Sequence, residues 1–453
     1  MSEGPRYRLE VADLHGHRWR VTLTLPRPAA RQLLWLPAWI PGSYLLREFA
    51  RHLGPLDASQ RGRRVPLEAL DKTTWAATTD GRAPLVVRYE VYAADPSVRG
   101  AWLDAERGFF NGSSLFLAAD GRTGEPHALQ IGRLPRGWRV ATAMPAAGAR
   151  RWRAADYAEL IDHPFELGRF WHGAFRAGGV AHEMVVSGAW PGFVGARLLA
   201  AAAQVCEGHL RLWHGRGRPP FARYLFLLHA ADDAYGGLEH RASCALALAR
   251  RDLPRAGTAA TDPGWLRLLG LISHEYFHAW NVKRLRPAEL VAPDLRREAH
   301  TRLLWWFEGA TTYYDDLMLC RTGLVGAPAY LGLLAAHVNA VAATPGRHHQ
   351  SVAAASFDAW TRLYRPDEHT ANATVSYYAK GALVALCLDL TLRREARGTL
   401  DDVLRRLWRT HRARPLDEAD LAAALAAVAG RSLQPELDAW VHGTGELPLA
   451  LLL

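Results

Sequence analysis

Lysine is nearly missing from this chain. Of 55 basic residues only Lys72, Lys283 and Lys380 are lysine. The formal charge of +10 would ordinarily point to nucleic acid or an anionic surface as partner. So lopsided an arginine usage, beside abundant alanine, reads instead as a genome-wide codon bias. That removes force from clusters such as Arg61-Gly62-Arg63-Arg64 and Arg150-Arg151-Trp152-Arg153, neither of which lies in a recognisable nucleic-acid module. No nucleic-acid partner is expected. Cysteine is sparse too. Cys206, Cys244, Cys320 and Cys387 are far apart and form no CxxC pair, which argues against a thiolate zinc site or a disulfide scaffold. They read as reduced thiols. No apolar run approaches the ~18–20 residues of a membrane span, and the N-terminus shows no apolar signal-peptide core. The expectation is a cytoplasmic protein with no membrane attachment. A composition 49% hydrophobic and 22% charged excludes disorder, collagen and coiled coil.

What is present divides into three parts. Tyr7, Leu9 and Val11 alternate with Arg8 and Glu10; Trp19, Val21, Leu23 and Leu25 alternate with polar neighbours; Val87, Tyr89 and Val91 do the same. Period-2 patterning broken by Pro and Gly predicts half-buried antiparallel strands, hence an antiparallel β-sandwich-like domain over 1–165. A mixed α/β segment follows, with a helix near 193–213 and a buried strand at Arg223–His229. Beyond about 262 the chain is mainly helical. Asp262 is a good N-cap with Pro263 at N1, and Trp265, Leu269, Ile272, Tyr276 and Trp280 keep a 3–4 spacing. Further helices are predicted at about 300–321, 327–342, 375–397, from a capped Thr399 with Asp402 three residues on, and at 417–429 ending at Gly430. The fold class is α+β, divided as 1–165, 166–325 and 326–453.

The chemistry concentrates in His274-Glu275-Tyr276-Phe277-His278. Inside a helix, positions i and i+4 share a face, so both imidazoles can reach one metal ion. The intervening glutamate can hold a water and take its proton. A third protein ligand is needed. Glu308, in Trp305-Trp306-Phe307-Glu308-Gly309, lies on the next helix among bulky apolar residues, where an unpaired carboxylate would be costly. Asp315, seven residues on, could orient a ligand histidine. Gly236-Gly237-Leu238-Glu239-His240 offers close backbone approach at the glycines and a carboxylate for a cationic substrate group. Tyr377 or Tyr378, in Ser376-Tyr377-Tyr378-Ala379-Lys380-Gly381, could donate to an oxyanion. Lys283 and Lys380 fall in these segments, a hint that a compact point charge matters there.

In combination these segments resemble a known family. His274 to Pro287 resembles the zinc-helix signature of the glycyl aminopeptidases, gluzincin metallopeptidases related to the aminopeptidase N-like enzymes. Gly236 to Ser243 resembles their substrate-anchoring segment, Trp305 to Tyr314 their third-ligand segment, and Tyr377 to Gly381 the segment of the transition-state tyrosine. Trp39-Ile40-Pro41-Gly42-Ser43-Tyr44 and Phe110-Asn111-Gly112-Ser113-Ser114-Leu115 agree as well. The resemblance implies a thermolysin-like catalytic domain and one Zn²⁺ per chain held by His274, His278 and Glu308. It implies Glu275 as general base, Tyr378 as oxyanion donor, and Glu239 with Gly236 and Gly237 as the binding segment for a peptide with a free N-terminus. It implies removal of small N-terminal residues, glycine and alanine. His240 stands where the aminopeptidase N-like form has an amide. Family members commonly carry a PDZ domain after the helical region; here the sequence stops at Gly443 to Pro448 and beyond by a few residues, so either the protein lacks that domain or the chain is a fragment. Two other readings stand beside it: a zinc endopeptidase with an open cleft, and a catalytically idle peptide-binding protein.

Overall fold

The computed structural model describes residues 4–395 and 397–453. The alternating stretches of the first part form strands as their period requires. Arg6–Asp13 and Arg18–Leu25 pair antiparallel with Leu9 opposite Val21 and Tyr7 opposite Leu23, and Leu85–Tyr92 continues the sheet with Val87 opposite Leu23. Leu9, Trp19, Val21, Leu23 and Val87 are all buried on one face. This seven-stranded sheet is antiparallel except where Arg6–Leu9 runs parallel to Ala128–Ile131. Two four-stranded sheets complete the β-rich part, whose last strand ends at Gly168.

A five-stranded sheet begins at Trp171, in the order Trp171–Ala177, Val180–Ser187, Arg223–Ala231, Ser243–Ala249, Tyr235–Glu239. Its centre is parallel and buried, which suits the continuous apolar run Tyr224–Leu228. Tyr235–Glu239 pairs antiparallel with Ser243–Ala249 and is the outermost strand. The helix Gly195–His214 and the helix Pro263–Phe277 pack together beside this sheet.

Pro263–Phe277 is the helix that carries the HExxH pattern. The Asp262 carboxylate accepts from the Trp265 N–H at 2.9 Å and Pro263 occupies the first turn, a cap worth about 1 kcal/mol. Trp265, Leu268, Leu269, Ile272 and Tyr276 bury its apolar face, each contributing about 1.5–3 kcal/mol. The following element differs from expectation. It starts near Leu304, not at 300, because the Thr301 hydroxyl accepts from the Leu303 N–H in a local turn. Its first part, Trp305–Ala310, winds as a π-helix before Thr311–Arg321 resumes α geometry. Close packing accompanies that winding: a Cβ on Gly309 would stand 2.6 Å from the Gly381 Cα, so the two backbones meet with no side chain between them. The helix expected over 375–397 is Ala379–Arg394. The Ser376 hydroxyl accepts from the Ala379 N–H at 3.3 Å, leaving both tyrosines in the turn before it. Ala327–Ala342, the Thr399–Asp402 capping box and Glu418–Ala429 closed by Gly430 at φ 73° match the sequence reading. No described helix is long and apolar enough to cross a membrane.

Candidate active site

The helix spacing brings the two histidines onto one face, with ring centroids 4.6 Å apart. The neighbouring π segment delivers Glu308 between them: its Oε2 lies 3.5 Å from His274 Nε2 and 3.2 Å from His278 Nε2. The outer nitrogens are already committed. His274 Nδ1 lies 2.8 Å from Asp315 Oδ2, and His278 Nδ1 lies 2.7 Å from the Asn281 carbonyl. With Nδ1–H donating outward, both Nε2 lone pairs converge on one point beside a carboxylate, the donor set of a His₂Glu cation site. These three side chains form a group able to hold a metal ion. When the Nε2 atoms instead carry protons, the attraction of His278 and hydrogen bonds from both histidines outweigh burial and hold the Glu308 carboxyl down to about 2.

Glu275 and Glu239 stand on the other side of the same point, their carboxylate oxygens and His278 all within 4.8 Å of one another. Both are buried, and each keeps one oxygen, Glu275 Oε2 and Glu239 Oε1, without a hydrogen-bond partner. Burial pushes Glu275 up to about 7, against the pull of His274 and His278, close to where a general base works best at neutral pH. Burial also raises Glu239. The need for glycine in Gly236-Gly237 is now physical. A Cβ on Gly237 would stand 1.8 Å from Glu275 Oε1, so the edge strand lies directly against that carboxylate.

Tyr378 and Tyr377 separate cleanly. Tyr378 lines the cavity that holds the cluster, and its ring centroid lies 6.3 Å from that of His274. Tyr377 is wholly buried and packs beneath it. Of the two suggestive lysines, Lys283 is close behind Glu239, whereas Lys380 is buried with its ammonium toward the Arg347 carbonyl at 3.5 Å.

Several residues here carried no signal in the sequence. Gly42, at φ 99°, closes on Glu239 so tightly that a Cβ would lie 2.3 Å from its Oε1. The stretch Trp39–Tyr44 was notable only by resemblance; in the fold it is pinned by Trp39 Nε1 donating to the Arg297 carbonyl at 2.9 Å and by an edge-on Trp39–Trp360 contact. Arg99, also from the β-rich part, donates to the Gly237 carbonyl at 3.1 Å. Asp162 gathers Lys283 Nζ at 2.7 Å, His240 Nδ1 at 3.5 Å and the Arg241 N–H at 3.0 Å, and so fixes the chain directly after Glu239. Tyr364 places its hydroxyl 2.9 Å from that of Tyr378.

A fold in which an HExxH helix lies under an edge strand, with a glutamate from the next helix completing the cluster, defines a metallopeptidase. The comparisons with known proteins agree. Residues 6–169 match the model of the peptidase M61 N-terminal domain, and residues 267–384 that of the M61 glycyl aminopeptidases. The structure is similar to that of an aminopeptidase N family protein from Idiomarina loihiensis, with TM-score 0.95 and 37% identity over 99% of this chain and 77% of that one. An M1 zinc metallopeptidase variant from Deinococcus radiodurans, bound to a Tyr-Ser-Ala substrate, shares the fold at TM-score 0.59 and 15% identity over 99% of this chain and 95% of that one. The unmodified Deinococcus enzyme gives TM-score 0.57 at 16% identity, with the same coverages. No curated protein matches the chain in sequence. The chain is a peptide-bond hydrolase, and it belongs to the M61 glycyl aminopeptidase family.

Proposed function

We propose that this chain is a zinc-dependent aminopeptidase that removes glycine or alanine from peptides with a free N-terminus. The observation that carries the reading is the buried Glu239 carboxylate among the residues that line the cavity. Glu239 is buried there with an unpartnered oxygen, and Gly42 of the β-rich part abuts it. A buried carboxylate lacking a partner calls for a cation, and the α-ammonium of a peptide supplies one. An endopeptidase needs room for chain on both sides of the scissile bond, and Gly42 stands on one of those sides.

His274, His278 and Glu308 would hold the zinc; the Deinococcus relatives are named zinc metallopeptidases. Zinc when bound supplies Lewis-acid polarisation of the scissile carbonyl and a water of lowered pKa. Glu275 accepts the proton of the attacking water and returns it to the leaving amine. Tyr378 donates its phenol hydrogen to the oxyanion that develops on the carbonyl. Glu239 orients the N-terminus, with the edge strand Tyr235–Glu239 running beside the peptide and Gly236 and Gly237 allowing its close approach. The preference for glycine or alanine follows the family description and suits the crowding between Gly42 and Glu239. We further propose the division into 1–165, 166–325 and 326–453, whose first boundary falls at the start of the strand Phe165–Gly168. The unpaired cysteines suit a cytoplasmic setting.

Metal analysis with a Glu275→Gln variant tests the reading. The expected result is about one zinc per chain in both proteins and near-complete loss of turnover in the variant. Purified protein that hydrolyses peptides without metal, or a variant with unchanged turnover, contradicts it.

A further inference from the structure

The cavity that holds the cluster measures about 1150 Å³, far more than an N-terminal glycine requires. Glu239 and Gly42 occupy one end of it. From His278 the cavity runs back along the HExxH helix past His274, Leu271, Arg267 and Leu266 to Pro263, one face at 3–4 spacing. From His274 to Pro263 that is about 16 Å, enough for four or five residues of extended chain at about 3.3 Å each. The outer end of the edge strand, with the exposed ring of Tyr235, also lines it.

The opposite wall is the helix Ala327–Ala342. In a chain that is 22% charged, no Asp, Glu, Lys or Arg lies between Arg321 and Arg347. Only Val341 of this helix is buried, and Leu331 is 57% exposed. Its side chains divide by direction. Tyr330 and Leu334 pack on the core, while Pro328, Gly332, Leu333 and Ala336 line the cavity. Leu333 is half-buried yet makes no core packing. The helix's one imidazole, His337, has its charge answered by Asp316 Oδ2 at 3.2 Å. An apolar wall that faces the catalytic cleft and not the core calls for an apolar occupant.

The geometry points to a leaving-side subsite in which Leu333, with Leu266, Leu271, Pro328 and Ala336, receives the side chain of the residue after the cleaved one. The substrate class is then peptides whose small N-terminal residue is followed by an apolar one. This rests on the aminopeptidase reading, because an N-terminus held at Glu239 is what directs the rest of the peptide along this wall.

Two measurements separate the inference from that reading. Binding of Gly-Leu-Ala, Gly-Asp-Ala and Gly-Gly-Gly to metal-loaded Glu275→Gln protein is followed by calorimetry, and turnover of the same peptides by wild type and by Leu333→Asp. The expected result is Gly-Leu-Ala bound and cleaved at least about tenfold better than Gly-Asp-Ala, a preference of the size an apolar side chain gains on burial. Leu333→Asp should lower kcat/KM for Gly-Leu-Ala about tenfold or more and leave Gly-Gly-Gly within about twofold. Equal binding of the three peptides, or an equal fall for all of them in Leu333→Asp, overturns the subsite. Selective binding of Gly-Leu-Ala without wild-type turnover supports the subsite and sinks the aminopeptidase reading alone.

Discussion

The two ends of the cluster are built differently. At the metal end, His274, His278, Glu308 and Asp315 come from two consecutive helical elements, and each contact is closed by another: Asp315 on His274, the Asn281 carbonyl on His278, Glu308 between both. At the amine end, Glu239 is assembled from three distant stretches, with Gly42 in front, Asp162 behind and Arg99 on the strand beside it. Its carboxylate keeps a free oxygen. The first is a local, self-contained unit that could hold an ion. The second is a long-range construction, and on the proposed reading its carboxylate takes the substrate's amine. Changes at the metal end should therefore move metal affinity and turnover, and changes at the amine end should move KM with the metal untouched.

The harshest way to break that division is Gly237→Ala, between the two ends. The added Cβ would meet Glu275 Oε1 at 1.8 Å, so kcat should fall about 10²–10⁴-fold, the worth of a positioned general base, while zinc content stays at the wild-type level. Zinc analysis beside steady-state kinetics checks both parts. Asp315→Asn removes the carboxylate that holds His274, and metal affinity measured by chelator competition should weaken about 10–100-fold. Gly42→Ala strains a backbone at φ 99° and pushes on Glu239; KM for a free-amine peptide should rise about tenfold, the size of one charged hydrogen bond, with zinc affinity unchanged. Loss of metal in that variant would erase the distinction between the ends. The smallest effect belongs to Tyr364→Phe, which keeps the ring and removes the hydroxyl beside Tyr378. Turnover should fall about 2–10-fold, the range for a neutral hydrogen bond, without a change in KM.

The same division explains what the sequence could reveal. His274, Glu275 and His278 stand at i, i+1 and i+4, so helical periodicity places them together, while Glu308 is marked by its apolar neighbours on the next helical element. Asp262, Thr399 and Gly430 mark helix ends through local backbone chemistry, and those ends fall where the pattern puts them. Gly42, Arg99 and Asp162 have no such mark. Arg99 meets Gly237 across 138 residues of chain, and one arginine in a chain this rich in them announces nothing. Asp162 reads as an ordinary acid until Lys283 is placed beside it. The π turn at Trp305–Ala310 was missed for a related reason. It accompanies contact with Gly381, an element far along the chain, and a smooth helical pattern over 300–321 hides it. Tyr377 and Tyr378 could not be ranked by spacing because both lie in the turn before Ala379; burial ranks them.

The central claim is that Glu239 reads a free amino group. Its most direct test is the ratio of kcat/KM for Gly-Leu-Ala to that for its N-acetylated form on zinc-loaded protein. Acetylation removes the cation and leaves a buried carboxylate unpaired, at about 3–5 kcal/mol, so the free peptide should be cleaved at least about a hundredfold faster. Equal cleavage of the two would contradict the account.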